Sequence, residues 1–168
     1  MSIPVLDEKE FIGNSSDSEP TYNQSVYFLK FYGNGNKIHS RLVKIHRNVN
    51  GSLKKRIRMS LKYLFKGPNS EEQEKGVLSA FQSGITFSKK IKITDGILHL
   101  SLNTNFDANA NNDIIQDRID QLTYTLFEFP QIRGIKVYIN GKSVNSLGEQ
   151  KYKLPFVLVK NPRRIVFL

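Results

Sequence analysis

Hydrophobic spacing along the chain divides it into recognisable elements. Two β-rich runs, at about 25 to 32 and 38 to 46, flank Gly33-Asn34-Gly35-Asn36 in "SVYFLKFYGNGNKIHSRLVKIHR". Gly and Asn accept the positive φ of tight turns, so this segment predicts a hairpin. In "NGSLKKRIRMSLKYLFKGP", Leu53, Ile57, Leu61, Leu64 and Phe65 recur at helical spacing, with Ser52 as N-cap and Gly67-Pro68 as the stop. "KIKITDGILHL" predicts a second hairpin: a type I′ turn at Asp95-Gly96 sets Ile93 opposite Leu98 and Ile91 opposite Leu100. The same phase meets Lys89, so a bulge or sheet edge is expected near Lys89-Lys90.

A second helix follows the Asn-rich 107 to 112 loop. Asp113 is the expected N-cap and Gln116 its capping-box partner, with Ile115, Ile119, Leu122, Leu126 and Phe129 on one face before Pro130. "GIKVYINGKSV" alternates Ile135, Val137 and Ile139 into a strand closed by Asn140-Gly141. Pro155 and Pro162 restrict the C-terminal segment to edge strands or extended chain. The order ββαββαβ predicts an α+β two-layer sandwich: a mostly antiparallel sheet with two main helices on one face.

Charge adds an asymmetry. The chain has 168 residues, a size usual for one domain, and a net charge of +10. Its first 24 residues hold Asp7, Glu8, Glu10, Asp17 and Glu19 against Lys9 alone. Residues 1–24 therefore read as a flexible acidic tail or linker, and 25–168 as one strongly basic domain with a C-terminal extension. That surplus favours an anionic neighbour. Lys54, Arg58 and Lys62, four residues apart on the first helix, form a basic row beside Lys55. The row reads as a solvated face or as an anion-facing stripe. Lys89, Lys90 and Lys92 make a second basic patch.

Candidate chemistry is sparse. With no cysteine, disulfides and thiolate zinc sites are excluded. No apolar run approaches the ~20 residues needed to span a bilayer, and the first 30 residues lack the basic and apolar regions of a signal peptide. His39, His46 and His99 form no ligand cluster, and neither a G-x-S-x-G elbow, H-E-x-x-H nor a P-loop is present. The Gly33/Gly35 pair is half a dinucleotide fingerprint, without the third glycine or the following helix. Asp107, Asn109, Asn111 and Asp113 resemble the start of a calcium loop, but Asn112 and Arg118 stand where Gly and Glu are required. No catalytic residue, metal or cofactor is expected. Nucleic acid is not the expected partner either, since base-stacking aromatic strands and a G-x-x-G clamp are lacking. Glu71, Glu72 and Glu74, between the Gly67-Pro68 stop and Gly76, suit a short helical turn whose N-terminus favours acids, a joint rather than an acid-base pair.

Four segments in order carry a resemblance. "LFKGPNSEEQEKGVLSAFQSGITF", "KITDGILHLSLNTNF" and "QLTYTLFEFPQIRGIKVYINGK", after the hairpin "VYFLKFYGNGNKI", resemble the GerMN domain family, the module named after a bacterial spore-germination protein. The likeness runs over roughly Val26 to Val144; Asn140, where the family more often has Asp, and the Asn-rich loop depart from it. The resemblance implies an extracytoplasmic, membrane- or envelope-associated, non-catalytic module, commonly tethered by a lipid or membrane anchor that would lie outside this chain. It also implies likeness to the ring-building motifs of spore secretion channels. The expected role is a bacterial assembly or scaffold module acting through protein-protein contacts, with an envelope protein or by self-association. The contact surface would be Lys54, Lys55, Arg58, Lys62, Lys89, Lys90 and Lys92. The alternative is a binding module for anionic cell-wall polymer or lipid headgroups at a membrane surface; a wall hydrolase has none of its motifs here.

Overall fold

The structure is a computed structural model that describes residues 19–168. The first hairpin is longer than its sequence suggests, with β1 over Thr21–Tyr32 and β2 over His39–Asn50 paired antiparallel along their whole length. Thr21 to Gln24, expected to belong to the acidic tail, are already strand, and Gln24 is buried. The rest of that expected tail, residues 1–18, lies outside the described residues.

Helix α1 (Leu53–Lys66) starts where Ser52 Oγ accepts the Lys55 N–H. It stops at Gly67, whose φ of 91° only glycine adopts at little cost and whose N–H bonds the Tyr63 carbonyl. Ile57, Leu61 and Leu64 are fully buried against Val26, Phe28, Val43 and Ile45. Each such side chain contributes about 1.5–3 kcal/mol of burial. Short helix α2 (Ser70–Glu74) follows at once, begun by a capping box between Asn69 and Glu72. Here the glutamate cluster divides. Glu71 and Glu74 face water, whereas Glu72 is buried in a two-pronged ion pair with Arg47, at 2.8 and 2.7 Å.

The second hairpin, β3 (Lys92–Thr94) and β4 (Ile97–Leu102), has the expected register, with Ile93 opposite Leu98 and both Asp95 and Gly96 at positive φ. Upstream the pairing slips by two residues, so that Phe87 faces Leu102; this is the break expected near Lys89-Lys90. Helix α3 (Asn112–Leu126) is capped by Asn111, whose Oδ1 accepts the Ile114 N–H. The expected cap, Asp113, instead lies in the first turn. Asn and Asp are near-equivalent caps, so the choice between neighbours is left to tertiary packing.

The α+β class holds, and its sheets are mixed. Because α3 carries the chain across from β4 to β5 (Gly134–Ile139), those two strands are parallel, as such crossovers require. β6 (Lys142–Ser143) completes the sheet β3-β4-β5-β6. β7 (Ser146–Leu147) and β8 (Tyr152–Lys153) form a small hairpin of their own. β9 (Ile165–Phe167) returns to pair parallel with the edge of β2, making a sheet β1-β2-β9. Between the two prolines that precede it the chain bends at Phe156 and Val157 and meets β5 through a Leu158–Ile135 bridge.

One helix unites these parts. The free edge of β1 meets α3: Tyr27 N–H donates to Thr125 Oγ1 (3.0 Å) and Gln121 Nε2 donates to the Tyr27 carbonyl (3.1 Å). Leu29 then exchanges two 2.8 Å backbone bonds with Leu78. Gln121 and Thr125 are fully buried, polar and intrahelical, because buried backbone groups of a strand edge need partners. Arg118 does the same for loops, donating to the carbonyls of Ala80, Phe106 and Ala108.

Candidate functional site

The side of α1 turned away from the core carries its cations. Beside it runs the segment from Gly84 to Lys89, held by Phe87 against Leu102, by Ser88 N–H on the Ser101 carbonyl, and by Asn103, which bonds both Thr86 N–H and the Gly84 carbonyl. Helix and segment enclose a cleft of about 600 Å³. Arg58, Lys62 and Lys66 line it from the helix and Lys89 from the segment. Its floor is apolar, made of Phe65, Ile85 and Phe87. The Phe65 ring is fixed edge-on to Phe81 (5.1 Å) and tilted against Phe87 (6.1 Å), and Phe81 lies on Phe106. Rings clamped this way offer a rigid apolar surface at low entropic cost.

The seven expected basic residues therefore separate. Arg58, Lys62 and Lys89, from both predicted patches, meet in one cleft. Lys54 and Lys55 stand one turn back along α1, outside it, and Lys55 pairs with Glu19 at 3.6 Å. Lys90 and Lys92 are exposed beyond the segment and do not line it. Lys66 was missed, although it extends the row by one more step of four. Phe65 belongs to the apolar spacing of the first helix, yet it and Phe87 are only half-buried because the cleft opens over them.

No carboxylate lines this cleft among the described residues. Its field is positive at the rim and its base is greasy. A purely ionic ligand would leave the rings wet, and a purely apolar one would leave the cations without partners. The arrangement suits an anionic ligand that also carries apolar groups.

A second concavity, of about 610 Å³, lies between β2, α3 and the C-terminal extension. It holds Asp117 and the fully buried Asp120, both paired with Arg163, whose other nitrogen donates to Ser40 Oγ (2.8 Å). Ser40 in turn donates to Asp117 Oδ1 at 2.8 Å. Burial holds the Asp117 carboxyl above the usual carboxylate range, against the pull of Ser40 and Arg163. These charges are spent on one another and tie the extension to β2 and α3. Of the calcium-like loop, Asp107 accepts the Gly148 N–H and Asn111 caps α3. His99 bonds the Tyr138 hydroxyl, and His39 stacks on Tyr32. Among the described residues no helix is long and apolar enough to cross a membrane.

Comparison with known proteins agrees with this architecture. The spore germination protein GerM of Bacillus subtilis (strain 168) is 28% identical over 140 residues, covering 80% of this chain and 36% of that protein. The chain thus spans little more than a third of that relative's length. The tandem GerMN domains of the sporulation protein GerM from Bacillus subtilis superpose with a TM-score of 0.67 at 22% identity, over 98% of this chain and 51% of theirs. The first GerMN domain of the same protein gives 0.61 at 18% identity, over 82% and 97%. A Clostridium perfringens protein described as a lipoprotein gives 0.51 at 18%, over 82% and 87%. Residues 25–145 match the family described as "Germane: Sporulation and spore germination", and the chain belongs to that family.

Proposed function

We propose that this chain is a non-catalytic, envelope-associated assembly module that grips an acidic, partly apolar segment of a protein partner in the cleft between α1 and residues 84–89. The observation that carries this reading is the convergence of Arg58, Lys62, Lys66 and Lys89 around a floor of Phe65, Ile85 and Phe87. Membership of the sporulation and spore germination family, and the fold shared with a protein described as a lipoprotein, support a place at the envelope.

Binding in such a cleft has two components. The cations draw an acidic partner in and set its orientation, while contact with the clamped rings slows its departure. Fluorescence anisotropy with a labelled peptide alternating Glu and Phe tests this. Binding is expected, with a loss of tenfold or more in Arg58→Glu/Lys62→Glu at an unchanged melting temperature. Equal binding by that variant would remove the cleft from consideration.

The alternative, a binder of anionic wall polymer or lipid headgroups, draws on the net charge of +10. It predicts that oligoglutamate or phosphatidylglycerol vesicles bind as well as the Glu-Phe peptide, and that affinity collapses with salt, since exposed charges are screened over about 10 Å at 0.1 M.

A further inference from the structure

The chain itself contains a segment with the chemistry the cleft requires. "IPVLDEKEFI", residues 3 to 12, sets Asp7, Glu8 and Glu10 between Ile3, Val5 and Leu6 on one side and Phe11 and Ile12 on the other. We infer that this segment docks in the cleft and competes there with the partner, an inference that rests on the proposed role of the cleft as a grip for acidic, apolar sequence.

The path to the cleft is already marked at one end. Glu19, where the described chain begins, lies 3.6 Å from Lys55. Lys55, Lys62 and Lys66 fall on one stripe of α1, seven and then four residues apart, so the stripe from Lys55 to Lys66 is ~16 Å long at 1.5 Å per residue. The chain from Ile12 to Glu19 spans up to about 24 Å when extended, which suffices to bring Phe11 and Ile12 over the rings and the acids to the rim. Residues 1–18 carry four carboxylates against Lys9 in sequence, and the rim carries four cations and, among the described residues, no acid. A tether this short holds its end at millimolar effective concentration, so modest intrinsic affinity is enough for occupancy. A partner must then displace it, and its apparent affinity is lowered accordingly.

The absence of cysteine permits a direct test on the full chain. Ser83→Cys, next to the cleft but outside its lining, takes a nitroxide label. Amide signals of residues 3 to 12 are expected to broaden, and to recover in Arg58→Glu/Lys62→Glu and in Asp7→Lys/Glu8→Lys/Glu10→Lys. A mixture of labelled chain with unlabelled, isotope-enriched chain reports whether the segment comes from the same molecule or a second copy; broadening in either arrangement supports docking. The tail-reversed variant should bind the Glu-Phe peptide several-fold more tightly than the unaltered chain. No broadening, with equal peptide affinity in the two chains, overturns the docking while the cleft's role stands. Failure of both chains to bind the peptide overturns the cleft's role itself.

Discussion

Glu72 shows how much a single residue can depend on its neighbours. It accepts from Asn69 N–H in the capping box and pairs with Arg47 at both oxygens, while Glu71 and Glu74 on the same turn are exposed. The Arg47 hydrogen bonds pull its carboxyl below the ordinary glutamate range despite burial. A depressed folded-state pKa means stability that is present above the unfolded value and is lost as pH falls through the folded one. Glu72→Gln is therefore expected to cost about 2–3 kcal/mol at neutral pH, since it leaves the half-buried Arg47 without its carboxylate. The cost should shrink as pH falls below about 4, which urea titrations across pH would show. Arg163 makes the opposite case. Arg163→Met leaves Asp117 and the fully buried Asp120 facing each other and should cost 3 kcal/mol or more at neutral pH, less on acidification. Asp117→Asn keeps an acceptor for Ser40 and removes surplus buried charge. Its cost should stay under about 1 kcal/mol. The glutamate cluster was legible as a helix start from Gly67-Pro68 and its spacing, but the singling out of Glu72 needed Arg47, twenty-five residues upstream.

Helix α3 is the element whose role the sequence disguises most. Its apolar stripe of Ile115, Ile119, Leu122 and Leu126 is evident from spacing alone, and all four are buried. Gln121 and Thr125 lie off that stripe, yet they are buried and replace a strand along the edge of β1. Periodicity reports which face is apolar, not whether the polar face meets water or unpaired backbone. Gln121→Leu leaves the Tyr27 carbonyl and Ala80 N–H without these partners, for an expected loss of about 2–4 kcal/mol. Because it uncovers a strand edge, the variant should also aggregate on heating, visible as light scattering ahead of the melting transition. The Asp95-Gly96 hairpin is the reverse: turn chemistry and alternation agree locally, and its register follows without tertiary information. The cleft lies between these cases. Charge spacing along α1 marks Arg58 and Lys62, but their meeting with Lys89 over Phe65 and Phe87 depends on the two-residue slip before β3.

At the scale of the molecule, the basic cleft faces out from a core shared by both main sheets and both long helices. The C-terminal extension closes the fold against β2 and α3 through β9 and Arg163. Substitutions in the cleft rim should therefore leave stability nearly unchanged, whereas substitutions in the Arg163 network should lower it without touching the cleft. Phe65→Ser tests the two components of binding separately: it should weaken the Glu-Phe peptide severalfold while leaving oligoglutamate affinity almost unaltered, measured by anisotropy at constant salt. A direct measurement of the central claim is the titration of the isotope-enriched chain with the Glu-Phe peptide, followed through backbone amide shifts. The account predicts saturable shifts concentrated on Arg58 to Lys66 and Gly84 to Lys89. Shifts confined to the β9 edge or the Arg163 concavity, or no saturable shift at all, would contradict it.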